Sequence, residues 1–337
     1  PDYGQRHIEA IERFLLVADT SGKTVPFNLL YGQRFFLERI TGRDIIPKPR
    51  QLGMSTVILA CFLLDCLAYE NLRCVVIAHE SDATERLFQR VHFFIRNFLG
   101  GEIAIGTSSK REIKFLATNS TFYVETAGNP EAGRSGTVNR LLCTEVAFWD
   151  NPKRLTAGLL QSVHENNSII IFESSGNGAN TWYHRKCLRA EELDDEYTLH
   201  FPDWRKESAY CDPVSPTEVS QVVANPRLDY EENIVGDSLS PGQILWRRRK
   251  IQSMDDDLQL FKQEYPLALH ECFQSAGGTF FNKFDCRKSS NWIRSAGDFC
   301  YQYLVGHPNI NYNYVVGVYL GAGVGNDKSV IEIVCCV

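Results

Sequence analysis

Long hydrophobic runs are missing from this sequence, since none reaches the ~18 to 20 residues that a membrane-spanning helix needs. The amino end, Pro1 to Gly4, lacks the pattern of a signal peptide, and the sequence contains neither internal repeats nor low-complexity tracts. The share of 44% apolar and 23% charged residues is ordinary for a globular protein, and we expect no membrane partner. Because the chain also lacks an initiator methionine and ends abruptly, we expect a fragment of a longer protein.

Metal-binding patterns are equally scarce. The 11 cysteines form no C-x-x-C pair, and neither they nor the scattered histidines have zinc-type spacings. Many of the cysteines lie inside apolar segments, namely Cys61, Cys66, Cys74 and Cys143. We therefore interpret them as reduced core residues of a cytosolic protein.

The net charge of −6 gives no sign of nucleic-acid binding, although a few local cations can be sufficient. The candidates are Arg247, Arg248, Arg249 and Lys250. They lie on a helix that is predicted to begin near Ser240 and Pro241, a capping serine followed by proline. The alternative is a solvated basic face or an interdomain contact, because charges at successive positions fan around a helix.

The most informative segment has the outline of a phosphate-binding loop, G-x-x-x-x-G-K-[ST], without the usual lysine. Its residues are Lys48, Pro49, Arg50, Gln51, Leu52, Gly53, Met54, Ser55 and Thr56. Gly53 and Ser55 have the expected positions, where backbone N–H groups wrap phosphates and the hydroxyl holds Mg²⁺. Met54 replaces the lysine, but Lys48 stands at the first glycine position and, with Arg50, can supply the missing cation. A strand at 44–46 and a buried helix at 56–69 flank the loop in the required order. The alternative is an ordinary strand-to-helix turn.

A later apolar strand, Arg140 to Glu145, ends in a carboxylate and has the form of a Walker B segment. Thr144 replaces the aspartate that usually precedes the glutamate. Because parallel strands present their carboxyl ends to the ligand, Glu145 is predicted to lie across a crevice from Ser55 and to orient an attacking water. The alternative is an exposed carboxylate at a strand end.

Two glycine-rich loops complete the pattern. Arg134 lies in the loop 131–136, where its cation could meet the γ-phosphate of its own or a neighbouring subunit; the alternative is a solvated arginine. The second loop follows the apolar strand Ile169 to Phe172, and it can hydrogen-bond a γ-phosphate or report its loss. After Glu173 it contains Ser174, Ser175, Gly176, Asn177 and Gly178.

Together, these segments resemble the large subunit of the terminases that package DNA into tailed-phage and related viral capsids. The resemblance rests on the deviant loop with a lysine at its start, on the strand that ends at Thr144-Glu145, and on the connector-like stretch Trp246 to Ser275. It implies that Gln33 contacts adenine, that Arg134 is an arginine finger, and that residues 174–178 couple hydrolysis to DNA movement. It also implies ATP and Mg²⁺ as cofactors, with Ser55 as the protein ligand of Mg²⁺.

The activity that this resemblance implies is that of an ATP-hydrolysing motor that translocates double-stranded DNA into a capsid. The expected partners are double-stranded DNA, the portal protein, the terminase small subunit and further copies of the chain in a ring. The expected location is the host cell cytoplasm, on the viral procapsid. Two rival hypotheses are a helicase-like P-loop ATPase and a decayed, non-catalytic protein that binds a capsid or portal.

The predicted fold class is α/β, with three parts. Residues 1–205 are predicted to form a P-loop ATPase domain, with a largely parallel sheet and helices on both faces. Residues 206–275 are predicted to form a small helical linker, and residues 276–337 the start of an incomplete ribonuclease-H-like nuclease domain. Tyr319 occupies the place of that family's first aspartate and cannot replace a carboxylate ligand, which leaves Asp327 as the candidate metal ligand. We therefore expect no DNA cleavage by this polypeptide alone.

Overall fold

The structure, a computed structural model, describes residues 2–19, 21–129, 136–165, 167–224, 239–273, 313–319 and 330–336. The chain divides into two units, Pro1–Gln274 and Ser275–Val337, and each unit is described by itself. The domain boundaries and the three domain identities derived from the sequence remain predictions.

Short apolar segments form the strands of the first unit. They are β1 (Leu16–Ala18), β2 (Thr24–Pro26), β3 (Arg43–Pro47), β4 (Arg73–Ala78), β5 (Ile105–Ser108), β6 (Glu112–Phe115), β7 (Thr121–Thr126), β8 (Arg140–Thr144), β9 (Ile169–Ser174) and β10 (Thr198–Leu199). β1 and β2 form a separate hairpin, whereas the others form one 8-stranded sheet in the order β10-β3-β9-β8-β4-β7-β6-β5. Its pairings are parallel except those of β6 with β5 and β7. The predicted, largely parallel sheet is confirmed.

Helices cover both faces of this sheet. They are α1 (Tyr3–Phe14), α2 (Tyr31–Leu37), α3 (Met54–Ala68), α4 (Ser81–Arg96), α5 (Pro152–Leu160) and α6 (Trp182–Glu191). One hydrophobic core packs the helices α1, α2, α3 and α4 against one face of the sheet. A second core packs α5 and α6 against the other face. Because both faces are covered, β3, β4, β8 and β9 are buried almost throughout, which explains their continuous apolar sequences.

The last part of the first unit, which we call the helical segment (204–273), has a smaller aromatic core. Its helices are α7 (Pro216–Ala224), α8 (Pro241–Gln252) and α9 (Leu258–Glu264). The core residues are Trp204, Tyr210, Trp246, Phe261 and Tyr265, and Leu52 packs among them. The helical segment is therefore anchored directly on the predicted phosphate loop.

α8 begins with a capping Ser240, as predicted, but its basic residues do not form one exposed stripe. Arg247 is 2% exposed and lies over the ring of Phe261, while Arg249 forms an ion pair with Asp212. These two cations therefore make contacts within the chain. Among the helices described, none is both long and apolar enough to span a membrane.

The second unit contributes two strands, β11 (Asn313–Tyr319) and β12 (Val330–Cys336). They pair antiparallel, with Asn313 opposite Cys336 and Tyr319 opposite Val330. This pairing agrees with the hairpin predicted from the sequence. Asp327 lies outside the described residues, and the nuclease identity of this unit remains a prediction.

A buried charge network joins three elements of the first unit. Asp65, the one charged residue of α3, is 1% exposed and accepts hydrogen bonds from Arg140 Nε at 2.5 Å and from the Tyr3 hydroxyl at 2.8 Å. His7 Nε2 lies 3.0 Å from its other oxygen. Burial raises the pKa of the Asp65 carboxyl, but the hydrogen bonds and charges of His7 and Arg140 outweigh burial and hold the pKa below its usual value of 3.8. The carboxylate thus links α1, α3 and the start of β8.

We expect Asp65→Asn to lower the free energy of unfolding by about 3–5 kcal/mol at neutral pH, because it leaves the Arg140 guanidinium buried without its counter-charge. Since the pKa of Asp65 is lower in the folded than in the unfolded chain, its contribution is complete above the unfolded-state pKa. It is lost as the pH falls through the folded-state pKa. Urea unfolding of wild type and variant, from neutral to acidic pH, measures this difference.

The control for this experiment is Glu38→Gln, which removes an exposed ion pair with Arg39 at 3.3 Å. Exposed pairs contribute about 0–1 kcal/mol, so this variant should unfold almost like the wild type. Equal stability of Asp65→Asn and wild type at neutral pH would contradict the assigned role of the network.

Candidate active site

The predicted phosphate loop, residues 48–53, joins β3 to α3 and is held by Gln33. The side-chain amide of Gln33 donates to the carbonyl oxygens of Leu52 and Gly53, both at 3.0 Å, and accepts from the backbone N–H of Leu30 at 3.1 Å. Gly53 has a left-handed φ of 60°, and a Cβ there would lie 2.7 Å from Gln33 Nε2. The left-handed backbone and this close approach both favour glycine here. In this structure Gln33 orders the loop, and its contact with adenine remains a prediction.

The position of the usual loop lysine belongs to the hydrophobic core. Met54 is 1% exposed and is part of the core that joins α3 to the sheet. An ammonium group at this position would be buried among apolar side chains, at a high cost in desolvation. The cation of this loop must therefore come from another position.

Lys48, directly after β3, provides that cation, and its side chain is 10% exposed. Its Nζ lies 2.5 Å from Oε2 of Glu173, 3.1 Å from Oε1 of Glu145 and 3.4 Å from Oγ of Ser55. Burial lowers the pKa of this ammonium, but the two carboxylates outweigh burial and raise the pKa above its usual value. Lys48 is therefore charged, and these four residues form what we call the Lys48 cluster.

Glu145 follows β8 at the carboxyl edge of the sheet, with a left-handed φ of 53° that is uncommon for residues other than glycine. Its Oε2 accepts from the backbone N–H of Ser175 at 3.3 Å, and the hydroxyls of Ser174 and Ser175 lie at 3.3 and 3.4 Å. Burial raises the pKa of this carboxyl, but Lys48 outweighs burial and the pKa is lowered. With 27% of its side chain exposed, Glu145 is an ionised carboxylate that water can reach.

Glu173, at the end of β9, is the second carboxylate of the cluster and has no exposed surface. It lies between two strands, in register with Ile46 of β3 and with Thr144 of β8. Its Oε1 accepts from the Ser55 hydroxyl at 2.5 Å and from the Thr144 hydroxyl. The sequence places Glu173 at the start of the segment that resembles the coupling motif, but sequence reasoning did not include it among the site residues. The available signal was a carboxylate in an otherwise apolar, buried strand, since such a charge needs partners.

The predicted coupling loop, residues 174–178, contacts both the phosphate loop and the helical segment. The Ser174 carbonyl accepts from the Lys48 backbone N–H at 2.9 Å, and the Gly176 carbonyl accepts from the Gln263 side chain at 3.1 Å. A Cβ on Gly176 would lie only 1.7 Å from the Cys272 carbonyl oxygen. The end of the helical segment therefore packs against this loop so closely that only glycine fits.

Arg50 is oriented towards the helical segment. It forms an ion pair with Glu264 of α9, and its backbone N–H donates to the Glu264 carbonyl at 3.0 Å. The structure does not bring Arg50 into the Lys48 cluster. Thr56, at the start of α3, accepts from Arg90 of α4 at 3.1 Å, so a different cation lies beside the phosphate loop. Sequence reasoning missed Arg90, because no motif sets it apart from the other basic residues of α4.

The remaining predicted site residues are not members of the Lys48 cluster, and two of them lie outside the described part of the chain. Gln51 is exposed with a left-handed φ of 63°, and Gly178 has a φ of 71°. The Asn177 side chain donates to a backbone carbonyl at 3.2 Å. Arg134 and Asp327 lie outside the described residues, so their roles remain predictions.

The donors of the site fit a magnesium ion bound together with a nucleotide. In the described part of the chain, no group of three or more His, Cys, Asp or Glu side chains could hold a metal ion alone. Mg²⁺ bound with a nucleotide needs fewer, because it takes one or two protein oxygens and completes its shell with phosphate oxygens and waters. Ser55 offers a hydroxyl, and the charges of Glu145 and Glu173 together exceed that of Lys48.

The arrangement of these elements is typical of one class of protein. A parallel strand, a phosphate loop and a buried helix follow one another, and carboxylates at the ends of the next two strands of the sheet, β9 and β8, meet at Lys48 of the loop. This is the P-loop NTPase type of α/β fold.

Comparisons with known proteins support the fold. No family model and no curated protein sequence matches the chain. The large terminase of bacteriophage HK97 is similar in structure, with a TM-score of 0.51 and 19% identity over 75% of this chain and 52% of that chain. The ATPase domain of the Thermus phage P74-26 large terminase has a TM-score of 0.47 and 14% identity, covering 72% of this chain and 92% of that one. For the large terminase of another thermophilic bacteriophage the TM-score is 0.42, with 12% identity over 56% and 47% of the two chains.

The HK97 similarity shows that this chain has the fold of a phage large terminase over three quarters of its length. The other two TM-scores are too low to add to that assignment. The chain spans about half the length of the HK97 protein, because the matched region covers 52% of that chain.

Proposed function

We propose that this chain is the ATP-hydrolysing motor of a viral terminase large subunit, which moves double-stranded DNA into a capsid. The observation that carries the proposal is the Lys48 cluster, where a loop cation, a loop hydroxyl and a strand-end carboxylate meet at one edge of the sheet. The fold shared with the HK97 large terminase supports the same conclusion.

Each residue of the cluster has a distinct role in the proposed reaction. Lys48 binds phosphate oxygens as a point charge and exchanges a carboxylate partner for them. Ser55 would hold Mg²⁺ through its hydroxyl, and the bound ion would neutralise charge on the phosphates. Glu145 orients a water and accepts its proton, which suits its ionised state and its exposed edge. The amino end of α3, which begins at Met54, adds backbone N–H groups and a positive helix dipole.

The proposal includes partners and a location. Arg134 acts as an arginine finger on a neighbouring copy, and such a finger contributes about 10³–10⁵ in rate. The motor is a ring of several copies that binds double-stranded DNA, the portal protein and the terminase small subunit. It works in the host cell cytoplasm, on the procapsid. Cleavage of DNA by this chain alone is not part of the proposal.

Steady-state ATP hydrolysis measured at increasing protein concentration, with and without double-stranded DNA, tests this function. We expect hydrolysis per chain to rise with concentration and with DNA, because the active unit is an assembly. A flat background that adding DNA leaves unchanged would favour a non-catalytic binding protein. Strand separation driven by hydrolysis would favour a helicase-like ATPase.

Mixing two inactive variants separates action on a neighbour from action within one chain. In a mixture of Arg134→Ala and Glu145→Gln, some interfaces unite an intact Arg134 with an intact Glu145 from different copies. We expect these interfaces to hydrolyse ATP, although each variant alone does not. A mixture as inactive as its components would place Arg134 and Glu145 of the same chain in one site.

A further inference from the structure

The strand that resembles a Walker B segment lacks a carboxylate where one is usually found, at Thr144. In the structure, a carboxylate from the neighbouring strand β9 lies next to Thr144. Glu173 of β9 is paired in register with Thr144 of β8, and its Oε1 accepts hydrogen bonds from both the Thr144 and the Ser55 hydroxyls. The carboxylate therefore stands on β9 instead of β8, and it contacts the Ser55 hydroxyl that follows the phosphate loop.

The hydrogen-bond directions give this contact a chemical meaning. An ionised carboxylate only accepts, so the Ser55 hydroxyl must donate its proton to Glu173. The lone pairs of Ser55 Oγ are then directed away from Glu173. One lone pair accepts from the Lys48 ammonium, whose Nζ lies 3.4 Å away, and the other remains for a second cation. Thr144 donates to the same carboxylate oxygen and so helps to fix it.

The charges and the burial of the cluster also favour a cation beside Ser55. Glu173 has no exposed surface, and it lies between β3, which leads into the phosphate loop, and β8, which leads to Glu145. Within the Lys48 cluster, two carboxylates share a single ammonium group. When Lys48 turns to a phosphate, Glu173 loses its cation partner. A divalent ion beside Ser55 would restore the balance of charge.

We propose that Glu173 replaces the missing Walker B aspartate as the residue that positions Ser55 for Mg²⁺ and balances the charge of the ion. The inference rests on the proposed function, because it concerns the metal that accompanies the nucleotide. Glu173 is a positioning residue, since it acts on the metal through the Ser55 hydroxyl. A purely structural role as the counter-ion of Lys48 would give no selective effect on metal binding.

Two titrations of Glu173→Gln separate these roles. In the first, electron paramagnetic resonance measures Mn²⁺ binding in the presence of a saturating, non-hydrolysable ATP analogue. We expect about 10- to 100-fold weaker Mn²⁺ binding, the usual effect of removing a group that orients a metal ligand. In the second, the analogue is titrated in EDTA. Here we expect no loss of affinity, because Lys48 is relieved of one competing carboxylate.

Two further variants serve as controls. Glu125→Gln removes another buried strand-end carboxylate, 1% exposed and paired with Arg111, and should leave Mn²⁺ affinity unchanged. The exchange Thr144→Asp with Glu173→Thr returns the carboxylate to the usual strand and should recover most of the lost Mn²⁺ affinity. This exchange variant also keeps one buried carboxylate in place. If Glu173→Gln does not fold, the exchange variant therefore tests the role of Glu173 in metal binding.

The outcomes distinguish this inference from the proposed function. Nucleotide binding with unchanged Mn²⁺ affinity in Glu173→Gln would overturn the inference and leave the function standing. Equal weakening of nucleotide binding with Mn²⁺ and in EDTA would assign Glu173 a structural role only. If Glu173→Gln does not fold, an Mn²⁺ affinity of the exchange variant far below that of the wild type would overturn the inference. Absence of nucleotide binding by the wild-type chain would overturn both.

Discussion

Glu145→Gln is expected to lower ATP turnover by about 10²–10⁴-fold while nucleotide binding is retained, because the amide cannot accept a proton from the attacking water. The substitution preserves the shape of the side chain. Its amide oxygen can still accept from the backbone N–H of Ser175, which now lies 3.3 Å from the carboxylate. Lys48 keeps its ion pair with Glu173, so the phosphate loop retains its cation.

The measurement combines steady-state hydrolysis with titration of a fluorescent ATP analogue. Glu38→Gln is a suitable control, because Glu38 is an exposed carboxylate that pairs with Arg39 at 3.3 Å and is not part of the Lys48 cluster. We expect this control to hydrolyse ATP like the wild type. If Glu145→Gln turned over ATP at the wild-type rate, the carboxylate would not be the group that activates water.

Lys48→Ala is expected to weaken nucleotide binding by about 10- to 150-fold, which corresponds to losing a hydrogen bond to a charged group of about 1.5–3 kcal/mol. Removal of Lys48 also takes from Glu145 and Glu173 the ammonium group that they share. Stability should therefore fall as well, by about 3–5 kcal/mol, as is usual when one partner of a buried pair is removed. ATP turnover should fall as well, because nucleotide affinity and stability are both reduced.

Lys186→Ala provides a matched control for the loss of stability. Lys186 is also largely buried, with 15% of its side chain exposed, and pairs with Asp195 at 3.0 Å. This variant should be destabilised but should bind nucleotide as the wild type does. Analogue titration and urea unfolding of both variants separate the two effects. Normal nucleotide affinity in a folded Lys48→Ala protein would mean that another cation, such as Arg90, binds the phosphates.

The strand, loop and helix around Lys48 could be predicted from the sequence because their signals are local. An apolar run precedes the loop, Gly53 lies inside it, and α3 has no polar face. The displaced lysine could also be inferred, since the absence of a cation at Met54 is visible in the same nine residues. The largely parallel sheet followed from alternating apolar strands and helices, and the structure confirms it.

The contacts of Glu173 and Arg50 could not be predicted in the same way. The hydrogen bond from Ser55 to Glu173 joins residues 118 positions apart, and it depends on β9 lying between β3 and β8. A single sequence does not specify that order, because strands that follow one another are not always neighbours. Arg50 was predicted to help bind phosphates, but the packing of α9 gives it Glu264 as a partner. That packing depends on an aromatic core whose members are scattered along the chain.

The register that pairs Thr144 with Glu173 also affects how such a site can be recognised in a sequence. Paired positions on two neighbouring strands bring their side chains to the same edge of the sheet, so an acid on either strand can lie next to the phosphate loop. A pattern that demands two consecutive acidic residues therefore passes over this chain, whose two acids, Glu145 and Glu173, follow one strand and end another.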